Sequence, residues 1–240
     1  MDDDPAAPTL PRVDPTATRE GLATAYSPEL LASLLADGDD DLAAWTIGHA
    51  LADATRTEVY DGLVADAMRI VGQRWKDGEW SIAEEHLASQ TLLRTLDRIR
   101  PDLGPEGRIG PLAVLAGTAG EHHMIGLVCL DHVLSEGGWT VANLGADVPA
   151  ADLGIFVQRN DATLVALAAS RTARIASVAE AVSAIREAGG SRQIPIMLGG
   201  GLASEPGLAT TLGIDWVGSS LTSAIGFADD VFASLPGGNA

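Results

Sequence analysis

The chain has 240 residues, 46% of them hydrophobic, which is enough apolar material for one large packed domain or two smaller ones. Its 33 acidic residues outnumber 15 basic ones, and the formal charge of -18 opposes approach to a phosphate backbone, so no direct contact with nucleic acid is expected. No apolar run reaches the roughly 18 residues of a membrane span, and the start, MDDDPAAPTLPRVDPTATREG, lacks the basic and apolar regions of a signal peptide; the expectation is a cytoplasmic protein with no membrane association.

Residues 1–25 mix proline, aspartate and alanine without periodicity and read as a disordered tail, as does the terminal LPGGNA. Residues 26–101 then carry a helical rhythm in four segments: SPELLASLLADGD, DDLAAWTIGHALADA, RTEVYDGLVADAMRIVGQRWKDG and SIAEEHLASQTLLRTLDRIR. The acidic DGDDD of residues 37–41 reads as a solvated helix start and not as a calcium loop, because no further ligands follow at that spacing. In the third segment Tyr60, Val64, Met68, Val71 and Trp75 fall on one helix face. Ser81 and Glu84 form a capping-box sequence that starts the fourth helix, and Gly78 suits the turn before it. Four helices with short connections predict an up-and-down bundle.

RPDLGPEGR, residues 100–108, is a linker, and residues 107–235 alternate strand and helix. Strands are expected at PLAVLAG, WTVANLG, TLVALAA, PIMLGG and IDWVGS. Helices are expected at MIGLVCLDHVLSEG, AADLGIFVQRN, ARIASVAEAVSAIREAG, a short LATTLG and SAIGFADDVFASL. Near-continuous apolar strands between amphipathic helices predict an α/β domain, with a doubly wound, flavodoxin-like, five-stranded parallel sheet. Ligands of such folds bind beyond the carboxyl ends of the strands, where GTAGEHH, LGADVP, ASRT and GGGL fall. Trp139 and Trp216 open strands and read as core; Cys129 and His132 lie inside a helix, the first as a small core residue, the second as a packing or surface residue and not a ligand.

Within GTAGEHHMIG, Glu121 stands two residues before His123 and can fix its tautomer, as carboxylates do for metal-bound histidines. Gly126 leaves the first helical turn bare for a bulky planar ligand, and His122 reads as a bystander.

These residues resemble the cobalamin-binding signature D-x-H-x-x-G, 41 residues, S-x-L, 26 to 28 residues, GG. Here 41 residues after Gly126 stands Ala168-Ala169-Ser170, and 28 residues after Ser170 stand Gly199 and Gly200. NLGADVP, with Gly145, is similar to the corrin-facing loop of the same family. The resemblance implies a Rossmann-like cobalamin-binding domain holding a cobalt corrinoid base-off and His-on. His123 would be the lower metal ligand, and the displaced nucleotide tail would pass the glycines of residues 199–201. Glu121 replaces the family aspartate, and Ala168 stands where many members have a serine that supports the acid–histidine pair, leaving Ser170 or Thr172 as substitutes.

Trp75, nine residues and then Glu85-His86 matches the W-x9-EH pattern of the light-responsive cobalamin regulators. That resemblance implies that Trp75, Glu85 and His86 cap the adenosyl group of adenosylcobalamin. Lys76 replaces the histidine that binds cobalt after light in the best-known sensors, so the later upper ligand is left open between His86, His49 and water. No winged helix-turn-helix like that of those regulators is expected ahead of the bundle, and the chain is similar to a stand-alone photoreceptor of the photocobilin kind, in which a bilin such as biliverdin is a second chromophore; no residue decides for or against it.

The expected function is therefore light sensing and signalling, not enzymatic catalysis, with a homo-oligomer and a downstream protein partner. A corrinoid methyl carrier for a methyltransferase shares the layout but needs an open upper face. A radical mutase would need a substrate barrel this chain cannot contain, so it could only be a partner subunit of one.

Overall fold

A computed structural model describes residues 26–102 and 110–235. The expected tails and most of the expected linker lie outside these residues.

The helical half begins with α1 (Pro28–Asp37) and α2 (Asp40–Asp53), followed by α3 (Arg56–Val59). A π-helical turn (Tyr60–Val64) continues α3 into α4 (Ala65–Lys76), and α5 (Ile82–Arg98) closes the bundle. Local chemistry sets the starts: the side chains of Ser27 and Asp39 accept the backbone N–H of Leu30 and Leu42, and Thr55–Glu58 and Ser81–Glu84 form reciprocal capping boxes. Asp40 and Asp41, at the start of α2, pair with Arg98 from the end of α5. Leu31, Leu35, Ile47, Val71, Leu92 and Leu96 fill the bundle core, joined there by Cys129 and Val133 from the second half.

The second half contains β1 (Leu112–Gly117), α6 (Ile125–Glu136), β2 (Thr140–Asn143), α7 (Ala150–Arg159) and β3 (Leu164–Ala168). It continues with α8 (Ile175–Gly189), β4 (Ile196–Gly199), α9 (Leu208–Leu212), β5 (Trp216–Val217) and α10 (Leu221–Ala233). All pairings are parallel and the order is β2-β1-β3-β4-β5, the flavodoxin-like arrangement expected from the sequence. One sheet face packs Val114, Val165 and Leu167 against Leu153 of α7 and Val178 and Ile185 of α8; the other packs Ala113, Leu115 and Met197 against α6 and α10. Because α6 also packs into the bundle, the first crossover helix is the shared wall of the two halves.

Two sequence expectations need adjustment. The stripe from Tyr60 to Trp75 is not one uniformly buried face: Tyr60, Val64 and Val71 are buried, whereas Trp75 is 41% exposed. After the π turn the buried row runs through Ala67 and Val71, one position off the Met68 read from spacing, and Trp75, at the end of α4, falls outside it. His132 is buried within a polar joint, which removes the surface alternative.

Candidate functional site: the rim of the parallel sheet

The chain leaves β1 at Gly117 and enters α6 at Ile125, and the intervening loop is tied down at several points. Thr118 donates its N–H to the carbonyl of Ala168 on β3; Gly117 donates its N–H to the carbonyl of Gly145 and accepts the N–H of Val148, both in the loop after β2. Glu121 projects inward and is 2% exposed. Its Oε1 accepts the backbone N–H of His123 at 2.8 Å and lies 2.5 Å from His123 Nδ1, while Oε2 accepts the backbone N–H of Ser170 at 2.5 Å.

Burial alone would raise the Glu121 pKa, but the hydrogen bonds from His123 and Ser170 outweigh it and hold the carboxyl below the usual range. The carboxylate is thus a fixed acceptor on Nδ1, which leaves Nε2 as the nitrogen able to bind a metal. The His123 side chain is 67% exposed at the rim, and His122 is exposed with no part in the pair.

The resemblance expects a serine at Ala168, with Ser170 or Thr172 as its substitute. The second carboxylate oxygen is held by the main chain of Ser170, whereas Thr172 is exposed at the start of a short 3-10 turn and is not a partner of Glu121. Of the two expected replacements, Ser170 supplies the contact, through its N–H and not its hydroxyl.

A cavity of about 280 Å³ opens beside His123. Gly126, Ser170, Gly199 and Gly200 line it, and Trp216 closes part of its wall. Trp216 is therefore only partly core; its ring lies where a Cβ on Gly218 would be 2.6 Å away. A Cβ on Gly126 would meet nothing within 4 Å, whereas one on Gly200 would come within 2.6 Å of the Ala169 carbonyl. Gly126 thus keeps the mouth open, and Gly200, at φ 93°, lets the loop after β4 lie directly on the loop after β3. Gly145 is not a lining residue: at φ 80° it is buried beneath Met124 and braces the histidine loop.

The bundle completes the cavity with Tyr60, Asp61, Val64, Ala65 and Met68. Asp61, on the π turn, accepts the N–H of Leu221 and Thr222 and the hydroxyls of Ser220 and Thr222, capping α10 across the domain boundary. Nearby, Tyr60 Oη lies 2.8 Å from His132 Nδ1, and Arg56 donates to Tyr60, to the Ile99 carbonyl and to Glu136. Neither joint was legible in the sequence, since its bonds between the two halves link residues 72 to 161 positions apart and match no local motif.

Trp75, at the end of α4, and Glu85 and His86, at the start of α5, flank one turn but do not line this cavity. Glu85 lies 3.5 Å from His86 and accepts the hydroxyl of Ser89. Trp75 shares a helical face with Ala65, Met68 and Gly72, so the strip that walls the cavity continues towards the indole. His49 is engaged elsewhere, bonded to the Trp45 carbonyl and packed on the Trp45 ring.

A carboxylate-oriented imidazole, a bare first turn of α6 and an apolar cleft walled by glycine loops fit a cobalt corrinoid. Two family models, each described as a B12 binding domain, match residues 29–100 and 111–224. The chain is 40% identical over 99 residues to the HTH-type transcriptional repressor CarA of Myxococcus xanthus, covering 41% of this chain and 32% of CarA, so it spans about a third of that protein. It is 23% identical over 206 residues to the dimethylamine corrinoid protein of Methanosarcina barkeri, covering 85% of this chain and 96% of that one. The fold superposes on the Methanosarcina barkeri monomethylamine corrinoid protein with a TM-score of 0.73 at 16% identity, covering 89% of this chain and all of the other. Helical half and sheet half are each matched as a B12 binding domain, and together they give the chain a cobalamin-binding architecture.

Proposed function

We propose that the protein is a light-sensing regulator that holds adenosylcobalamin base-off and His-on. The observation that carries this reading is the Glu121–His123 pair, presented at a cavity that both halves of the chain enclose. In this reading His123 ligates cobalt, Glu121 fixes its tautomer, and Gly199 and Gly200 give passage to the nucleotide tail. Trp75, Glu85 and His86 cap the adenosyl group, the indole by apolar contact and the polar pair by hydrogen bonding. When bound, adenosylcobalamin supplies a weak cobalt–carbon bond that visible light breaks.

Loss of the adenosyl group removes contacts that the bundle makes and the sheet domain does not. That difference biases the position of the two halves or the oligomer. The same reading includes a homo-oligomer, a downstream protein partner, no direct DNA contact, no catalytic turnover and, as an optional second chromophore, a bilin. The resemblance to CarA and the W-x9-EH spacing support it.

A second reading is a corrinoid methyl carrier. The near full-length similarity to a dimethylamine corrinoid protein and the exposure of Trp75 and His86, which leaves the upper side accessible, favour it. Protein loaded with adenosylcobalamin in darkness should change its absorption spectrum irreversibly under green light and elute differently from a sizing column. An unchanged elution after complete photolysis, together with preference for methylcobalamin and turnover with a methyl-donor system, would replace the first reading by the second.

A further inference from the structure

We propose that Asp147 is a positioning residue for the cobalt-ligating histidine, acting through the backbone of the loop that carries it. The inference rests on the cobalamin reading. Asp147 has φ 53°, a left-handed conformation that side-chain-bearing residues rarely adopt and that Asp and Asn tolerate best. What holds it there is a two-point grip on the neighbouring loop. Its Oδ1 accepts the N–H of Gly120 at 2.6 Å, and its own N–H donates to the carbonyl of Glu121 at 2.9 Å.

One residue of the loop after β2 thereby grips the dipeptide Gly120–Glu121, two positions ahead of His123. Gly120 is itself at φ 79°, with the Arg174 guanidinium packed where a Cβ would stand. Ser170 holds the Glu121 carboxylate from the loop after β3. Glu121 is therefore fixed from two sides, its side chain by one loop and its main chain by the other, and the imidazole inherits that placement through Nδ1. The Asp147 side chain itself touches neither the imidazole nor the cavity. Its effect is on how much of the bound cofactor His123 ligates, and not on whether the pocket exists.

The substitutions separate the contributions. Asp147→Gly keeps the left-handed backbone and the N–H to Glu121 but deletes the acceptor for Gly120. Asp147→Asn keeps the acceptor and tolerates the same φ. The readout is the electron paramagnetic resonance of bound cob(II)alamin in protein carrying 15N-labelled histidine. A histidine ligand gives a doublet superhyperfine splitting and the cofactor's own 14N base a triplet.

Wild type should give the doublet. In Asp147→Gly the ratio of histidine-ligated to other forms should fall about fivefold, the equivalent of one hydrogen bond of about 1 kcal/mol, and cobalamin release should accelerate. Asp147→Asn should restore both. A Gly variant with the wild-type doublet fraction and release rate, or an Asn variant as impaired as Gly, overturns the assignment of Asp147. Wild type that retains no cobalamin, or retains it with a triplet, overturns the cobalamin reading instead.

Discussion

At the scale of single residues, the centre of the site is a buried carboxylate that three N–H groups keep ionised. Removing those oxygens while retaining the loop leaves the backbone N–H groups of His123 and Ser170 without acceptors. Glu121→Ala should therefore lower stability of the cofactor-free protein by about 1–3 kcal/mol, measured by denaturant unfolding. Glu121→Gln should fold better yet bind cobalamin with less histidine ligation, because a neutral amide polarises Nδ1–H less.

The pH dependence follows from the depressed Glu121 pKa. A carboxyl whose folded pKa lies below its ordinary 4.5 contributes stability that is complete above that value and is lost as pH falls through the folded pKa. The stability difference between wild type and Glu121→Gln should accordingly be largest above about pH 5 and shrink in acid. Glu121, His123 and Gly126 were legible because their roles depend on short spacing along one loop. Ser170 was legible only as a position, since a main-chain donor leaves no mark on residue identity.

Among elements, the π turn at Tyr60–Val64 shapes the contact between the halves. It sets Asp61 against the start of α10, where the carboxylate serves two backbone N–H groups and complements the helix dipole. Burial would raise its pKa, but the Thr222 and Leu221 N–H groups outweigh that and hold it low, which keeps the cap charged above its ordinary 3.8. Asp61→Ala should cost about 1–2 kcal/mol in denaturant unfolding, the usual penalty for a lost cap. It should also loosen the bundle against α10, read as faster amide exchange in the first turn of that helix. Spacing placed the helix but missed the extra residue in its turn, because an i→i+5 turn is set by what the flanking segments pack against.

Over the whole molecule, the two halves meet through α6, and a buried histidine lies in that joint. Burial, aided by Arg56 and Arg100, pulls the His132 pKa down to about 4. In the unfolded chain the ring titrates near 6.5, so between these values the unfolded state binds the extra proton. Stability is then full above about pH 6.5 and declines as pH falls towards 4, by up to on the order of 3 kcal/mol. Thermal melts of cofactor-free protein across this range should show the decline, and His132→Gln should flatten it. A slope unchanged in that variant would assign the decline to other groups.

The sequence by itself determined the helical-then-α/β order, the parallel sheet and the Glu121–His123–Gly126 unit, because each is written in local periodicity, capping chemistry or short spacing. It also placed Gly199 and Gly200 at the rim of the sheet, and the folded chain lays Gly200 against Ala169 in the loop after β3. Only the tertiary structure decided that Ser170 serves through its amide, that Asp61 and His132 join the halves, that Trp75 stays half exposed and that Asp147 grips the histidine loop. The physical reason is common to these: a hydrogen bond between distant segments depends on where two backbones come to rest, and that depends on the packing of the whole chain.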